Sequence, residues 1–479
     1  MIRNSRKCNR LATADLLWGL LWDLSPGLAL AAGIGHEDDM EKAAPLLTRR
    51  IAIELVEAVV DHSRPFDIAL AEDIRITNLE PRDRAFTRRL VATVLRRLGQ
   101  IDALIDHCLE RPLPRKAGAV RSILRIGVCQ VFFMDVADHA AVDTAVELTR
   151  DVKLHGFSKL VNGVLRRLLR DGAALLAAQD APRLNTPAWM WESWEAAYGA
   201  ETCRKIALAH EAEAPLDISL KGDSAVWAEK LEAVILANGT LRRQPGGAVQ
   251  DLPGFSEGAW WIQDAAARSV TGLLGDVAGK RVIDLCAAPG GKTLYLAAAG
   301  AQVTAVDRSD KRLRRLRENL DRLNLSADVV TADATAWAPP APADAVLLDA
   351  PCSATGTIRR HPDILWNKRL ADVDSLAKTQ ARLLNAAIPM VKPGGLLVFA
   401  TCSLQPEEGE RQIEALLAGR NDVRLDPIQA GELPGFEAMV DGDGMFRSLP
   451  SYGPKDSGVP GGINGGMDGF FAGRLRRSS

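Results

Sequence analysis

Asp284-Leu285-Cys286-Ala287-Ala288-Pro289-Gly290-Gly291-Lys292-Thr293 is the stretch on which the reading of this chain turns. The apolar run 282–285 enters it as a strand, and the residues beyond it continue as a helix. Small residues at such a turn let backbone N–H groups approach a ligand closely. Two familiar phosphate-binding loops fail on the letters. A Walker A loop needs glycine five residues before Gly291, where Cys286 stands, and no Gly-x-Gly-x-x-Gly is present. The pattern is that of a ligand loop of another kind.

Working outward, the apolar runs 303–307, 345–349 and 396–400 alternate with helical stretches. One of these is amphipathic and carries Leu313, Leu316, Leu320 and Leu323. Strands alternating with helices predict a parallel, doubly wound, Rossmann-like α/β sheet. In such sheets chemistry collects beyond the carboxyl ends of the strands. Asp307 ends the strand 303–307 and is placed to accept hydrogen bonds from ribose hydroxyls. Asp333, in Thr331-Ala332-Asp333-Ala334, is placed to meet an adenine edge. Either aspartate alone reads equally well as a helix cap. Three such features at successive strand ends point together to a nucleoside-bearing ligand.

Two cysteines follow strands on the same side of that sheet, in Asp349-Ala350-Pro351-Cys352-Ser353 and Thr401-Cys402-Ser403. A single cysteine there would read as a small buried hydrophobe. A pair beside an Asp-Ala-Pro turn suits methylation at carbon 5 of cytosine. That carbon attacks a methyl donor only after a thiolate has added to carbon 6, and a second group must then help remove the C5 proton. Asp349 is the candidate to stabilise the adduct at N3. The residues themselves leave open which cysteine attacks. The cluster Arg359-Arg360-His361-Pro362-Asp363 follows the Cys352 turn, where its charge suits an RNA backbone and equally a solvent-exposed loop.

Residues 45–172 are helical in pattern, with Leu55, Val56, Val59 and Val60, then Leu90, Val94, Leu95 and Leu98, at helical spacing. Asp83 or Thr87 is a candidate cap, and Pro65, Pro81, Pro112 and Pro114 punctuate the segments. Between 41 and 170 there are 22 Lys+Arg against 17 Asp+Glu, a mild excess fitting either a phosphate-facing surface or a solvated helix face. Residues 180–275 read as a small α+β module, with strands over 216–220 and 260–263 and a helix over 227–237. Trp189, Trp191 and Trp194 share a helix there and read as a core or interdomain contact.

The whole chain of 479 residues has a formal charge of −2, so no overall charge announces nucleic acid. Seven scattered cysteines form neither a zinc spacing nor a disulfide framework, which predicts a reducing cytoplasm and no metal. Arg3, Arg6, Lys7 and Arg10 precede an apolar stretch over 16–32 that loosely resembles a signal peptide. Asp15, Asp23, Pro26 and Gly27 break it, and residues 1–44 are expected to be a poorly ordered leader. No other run approaches the ~20 apolar residues of a membrane span.

The motifs 284–293, 349–356 and 400–403, with the 359–363 cluster, resemble those of the NOL1/NOP2/Sun family of RNA cytosine-5 methyltransferases. Asn162-Gly163-Val164-Leu165-Arg166 looks like part of the NusB-like helical domain found with some members. The resemblance covers about 46–477 and implies three parts beyond the leader. They are a NusB-like RNA-binding bundle over 45–172, a linking module over 180–275, and a class I methyltransferase domain over 276–479. It implies that the loop Cys286, Ala287, Ala288, Pro289, Gly290, Gly291 and Lys292 binds S-adenosyl-L-methionine, with Asp307, Asp333 and Asp349 contributing. It makes Cys402 the nucleophile and Cys352 the residue that assists release. The implied substrate is RNA, in the first place small-subunit (16S) rRNA, in the cytoplasm; the oligomeric state stays open, with a monomer favoured. The alternatives are an RNA-binding scaffold with an inactive methyltransferase domain, or an enzyme acting on another RNA. Asp217-Ile218-Ser219-Leu220 departs from the family's Leu-Arg-Val-Asn-like strand. The glycine-rich stretch 459–469 leads into Phe470-Phe471-Ala472-Gly473-Arg474, which suits a closing hairpin.

Overall fold

Apolar residues at helical spacing build the first layer. The computed structural model describes residues 37–114, 117–452 and 466–478, with side chains from Pro45 onward. Residues 1–36 of the expected leader over 1–44, and most of the glycine-rich stretch before the last strand, lie outside the described residues, while 37–44 fall in a helix. From Pro45 the chain forms one compact unit. Among the described residues its first eight α-helices are α1 (Glu37–Val60), α2 (Phe66–Glu72), α3 (Ile74–Thr77), α4 (Pro81–Arg96), α5 (Leu98–Cys108), α6 (Gly118–Phe133), α7 (Asp138–Asp151) and α8 (Ser158–Ala177). Val56, Val59, Leu90, Val94, Leu95 and Leu98 all face one buried cluster. α4 begins at Pro81, whose missing N–H costs nothing in a first turn. Asp83 lies within that turn and Thr87 donates back to its carbonyl at 2.8 Å, so neither caps the helix.

Helices α9 (Ala181–Leu184), α10 (Ala188–Tyr198) and α11 (Ala200–His210) lead into an antiparallel sheet. Its strands are β1 (Leu216–Leu220), β2 (Val234–Ile235), β3 (Leu241–Arg243) and β4 (Trp260–Ile262), in the order β2-β3-β1-β4. The helix expected over 227–237 is instead α12 (Ser224–Lys230). Asp223 caps it by accepting the Ala225 N–H at 2.8 Å, and Glu232 at φ +51° turns the chain away into β2. The divergent Asp217 is structural. It forms a two-pronged buried ion pair with Arg242 at 2.7 and 2.8 Å and accepts the Ala265 N–H at 3.0 Å.

Helix α13 (Ala265–Gly272) precedes the large sheet, made of β5 (Arg281–Leu285), β6 (Gln302–Asp307), β7 (Asp328–Thr331), β8 (Ala343–Asp349), β9 (Val391–Thr401), β10 (Val423–Leu425), β11 (Phe446–Arg447) and β12 (Phe471–Arg477). Strands β7-β6-β5-β8-β9 are parallel, whereas β12 runs antiparallel between β9 and β10. The crossover helices are α14 (Gly291–Ala298), α15 (Asp310–Leu323), α16 (Ile364–Asn367), α17 (Leu370–Ala387) and α18 (Glu410–Gly419). Leu313, Leu316, Leu320 and Leu323 are the buried stripe of α15. The chain adds β6 and β7 on one side of β5, then returns to add β8 and β9 on the other. The carboxyl ends of β5 and β8 therefore flank the crevice where doubly wound sheets bind ligands.

Candidate active site

The loop after β5 is shaped by its own backbone. Cys286 and Gly290 take φ of +61° and +114°. A Cβ on Gly290 would also lie 2.4 Å from the Leu316 side chain, so only glycine fits there. At its start Asp284 is fully buried. One oxygen accepts from Thr293 Oγ at 2.5 Å, and Oδ1 has no partner among the described residues. Burial pushes its carboxyl up to about 7. Asp307, at the end of β6, accepts the Ala288 N–H at 3.2 Å and the Ser309 N–H at 2.9 Å. Arg312 lies over it at 3.3 Å and donates also to the Ala288 carbonyl. Asp333, just past β7, is exposed and closes its own turn by accepting from the Thr335 N–H and Oγ at 2.9 and 2.7 Å. It stands at the same edge of the sheet but does not reach the loop by any hydrogen bond.

Lys292, in the first turn of α14, reaches across to Asp349 at the end of β8, with Nζ to Oδ2 at 2.7 Å. Burial opposes the ammonium charge, but Asp349 prevails and holds Lys292 above its usual range. The Lys292 ammonium also lies 4.9 Å from the centre of the Phe470 ring. Beyond Asp349, Cys352 Sγ lies 3.4 Å from Cys402 Sγ, which follows β9. The contact follows from topology, because β8 and β9 are adjacent and in register up to Asp349 opposite Ala400. The Cys352 thiol is raised well above its usual value by its contact with Cys402, then by burial and the nearby carboxylates Glu408 and Asp349. Cys286 is a different kind of cysteine. Burial pushes it up to about 12, so it stays a thiol in the loop wall.

The 359–363 cluster is not an open loop, although Arg360 keeps an exposed face. Arg359 is buried, facing Asp264 at 3.6 Å and Asp468 at 3.9 Å, and Arg360 pairs with Asp468 at 2.9 Å. Asp363 accepts the Phe66 N–H from the bundle at 3.0 Å, and His361 meets Asp67 at 3.1 Å. Arg96 donates to the Arg359 carbonyl at 2.9 Å and Trp366 to the Leu95 carbonyl at 2.7 Å. These charges are spent holding the bundle and the linking module to the large sheet. Trp194 has a similar task. It is fully buried among Ile358, Leu365 and Leu404, and its indole N–H donates to Gln405 at 2.7 Å.

Residues from four successive strand ends thus meet at one crevice, where a carboxylate–ammonium pair faces two touching thiols. This is the sheet and site of a Rossmann-like methyltransferase, here preceded by a helical bundle. Comparison with known proteins narrows the class. Residues 272–476 match the family 16S rRNA methyltransferase RsmB/F, and residues 47–170 match the NusB family. The chain is 35% identical to the Ribosomal RNA small subunit methyltransferase B of Cronobacter sakazakii, over 83% of this chain and 97% of that one. It is 37% identical to the protein of the same name from Vibrio cholerae, over 78% and 90%. The chain belongs to the RsmB/F family. Among solved structures, PH0851 superposes with a TM-score of 0.69 at 22% identity, covering 90% of this chain and 99% of that one. NSun6 from Pyrococcus horikoshii, determined with SFG, has a TM-score of 0.50 at 19% identity, covering 61% and 98%. Both show the same fold. Among the described residues no helix is long and apolar enough to cross a membrane.

One group at this site belongs to no motif in the sequence. Glu408 lies behind the two cysteine turns, and the signal available was the serine that follows each cysteine, Ser353 and Ser403.

Proposed function

We propose that this protein transfers a methyl group from S-adenosyl-L-methionine to carbon 5 of a cytosine in small-subunit rRNA, with Cys402 as nucleophile and Cys352 as the release residue. The observation that carries the proposal is the thiol pair at 3.4 Å beside the Lys292–Asp349 ion pair. The substrate is supported by the names of the relatives, which match nearly their full length. The helical bundle over 45–172 and the linking module over 180–275 would hold the RNA against the domain over 276–479, in the cytoplasm.

The residues of the crevice fit the methyl donor. The loop from Cys286 to Lys292 offers backbone at strained, close-approach conformations, and Asp307 keeps lone pairs free for ribose hydroxyls once Arg312, itself half exposed, moves aside. The unpartnered Asp284 oxygen lies at the floor of the same loop. Asp333 stands at the edge where an adenine would end. When bound, S-adenosylmethionine supplies a methyl group made electrophilic by its sulfonium sulfur.

The chain's own groups perform the rest. Cys402 adds as thiolate to C6, forming the S–C6 bond and moving the ring's electron density to C5 and N3. Asp349 faces N3, and the Lys292 ammonium behind it supplies the proton that neutralises the developing charge. C5 then takes the methyl group. Next the C5 proton leaves and the S–C6 bond breaks, which returns Cys402 as thiolate, while N3 gives its proton back through Asp349 to Lys292. Cys352 is suited to wait for that step. While Cys402 is a thiolate, its contact is the largest cause holding the Cys352 proton in place. Once Cys402 is a thioether, that contact no longer opposes ionisation, while burial, Glu408 and Asp349 still do, and Cys352 is the thiol placed beside the adduct to accept the C5 proton when it ionises.

The test is a trapping experiment with labelled donor, small-subunit rRNA and denaturing gels. Cys352→Ala should accumulate a slow-migrating, labelled protein–RNA adduct, and adding Cys402→Ala should remove it. Cys402→Ala alone should abolish transfer; undiminished activity would overturn the mechanism. Failure of the wild type to label any RNA would favour a scaffold role.

A further inference from the structure

One fully buried carboxylate near the site takes no part in the steps above. Glu408 sits in the turn between β9 and α18, with no solvent exposure and, among the described residues, no ion pair. It is held entirely by neutral donors. The Ser353 N–H donates at 2.9 Å and the Gln380 amide at 3.0 Å to one oxygen. Ser403 Oγ at 2.6 Å and Ser353 Oγ donate to the other. Ser353 follows Cys352, and Ser403 follows Cys402. Two loops that arrive from different strands therefore hang on the same carboxylate through the residue next to each thiol. Cross-links complete the frame. The Gly356 N–H donates to the Cys402 carbonyl at 3.0 Å, and the Leu404 N–H to Thr355 Oγ at 2.9 Å.

Burying a lone carboxylate is costly, and a neutral acceptor would cost less. What only a carboxylate offers is acceptance on every side. It has about four lone-pair sites and no donor, whereas an amide would turn an NH₂ toward donors. We infer that Glu408 is a positioning residue that sets the separation of the Cys352 and Cys402 thiols by receiving the serine that follows each. The inference rests on the two-cysteine reading for its relevance to catalysis, but its geometric content can be measured without it. The fixed charge has a second effect in the same direction, since it helps hold Cys352 protonated beside Cys402.

The experiment compares wild type, Glu408→Gln and Ser403→Ala as full chains. The first readout is the rate at which diamide, a two-electron thiol oxidant, closes a Cys352–Cys402 disulfide, followed by mass spectrometry. Closure removes one proton and one electron from each thiol and needs the sulfurs in contact, but needs neither RNA nor methyl donor. The second readout is methyl transfer, with kcat separated from KM for rRNA. Glu408→Gln should slow both disulfide closure and kcat by on the order of 100-fold, the effect of a misplacement of about 1 Å, with KM within about twofold. Ser403→Ala, which keeps the carboxylate and removes one donor, should slow both by a smaller factor. If Glu408→Gln fails to fold, Ser403→Ala decides alone. Closure and kcat at wild-type rates in either folded variant would overturn the inference. If wild type transfers no methyl group while closure still depends on Glu408, the proposed function fails and the positioning role stands.

Discussion

His210 provides a quantitative test of how the linking module is joined to the large sheet. It ends α11 and is buried, and neither ring nitrogen has a hydrogen-bond partner among the described residues. Its ring packs edge-on against Trp194, with centroids 5.4 Å apart, and the Arg359 guanidinium lies close by. Burial first, and Arg359 second, lower its pKa to about 3. The unfolded chain returns it to about 6.5. Because the folded value is the depressed one, the unfolded state binds more protons between these limits. Stability is therefore full above pH 6.5 and is lost as pH falls. At pH 5 the loss is set by the unfolded value alone, since the native ring is still neutral. A gap of about 1.5 pH units at 1.36 kcal/mol each amounts to about 2 kcal/mol. Phe at this position would fill the space without a proton to bind. The stability difference between wild type and His210→Phe should therefore shift by about 2 kcal/mol in favour of the variant between pH 7.5 and pH 5. Urea titrations at a series of pH values, followed through tryptophan near-UV circular dichroism, measure it. Other titrating groups are common to both proteins and cancel in the difference. A gap that stays constant to within about 0.5 kcal/mol would mean that His210 is charged in the folded state, and would refute the reasoning.

Two further outcomes follow from the crevice. Asp284 has a folded pKa raised to about 7, so its contribution is present below about pH 4 and falls away as pH rises through 7, by at most roughly 1.4 kcal/mol per pH unit. Asp284→Asn should lack that slope, which thermal melts of both proteins at pH 5 and pH 8 would reveal as a relative gain for the variant at pH 8. Gly356→Ala places a Cβ 1.8 Å from the Gly469 carbonyl oxygen, on the residue whose N–H holds the Cys402 carbonyl. Methyl transfer should fall by on the order of 100-fold. Helical circular dichroism should be nearly unchanged, and an unimpaired rate would show that the closing strand yields without disturbing Cys402.

Much of this protein was legible in its letters, for reasons that are local. Four of the five parallel strands were visible because strands buried on both faces read as continuous apolar runs, and the α15 stripe because leucines recur at helical spacing; the half-exposed β7 made no such run. The loop after β5 declared itself through small residues, and the cysteines through their position after strands. The α12 boundary departs from the apolar pattern because a capping aspartate and a left-handed Glu232 outweigh that pattern over a few residues. What tertiary structure alone decided concerns which surfaces meet. Nothing local distinguishes the 359–363 charges from an open loop; Arg359 and Asp363 are buried and His361 is partly covered because the bundle's Phe66, Asp67 and Arg96 are brought against them from far along the chain. Asp349 is paired with Lys292, and Glu408 with the serines beside both thiols, only because β5, β8 and β9 are neighbours in the sheet. The sequence by itself determined the strands, the ligand loop and the two cysteines, since turn chemistry and periodicity act over a few residues. Only the packed sheet decided that the thiols touch, because that distance depends on strand order and on which buried polar groups find partners far along the chain.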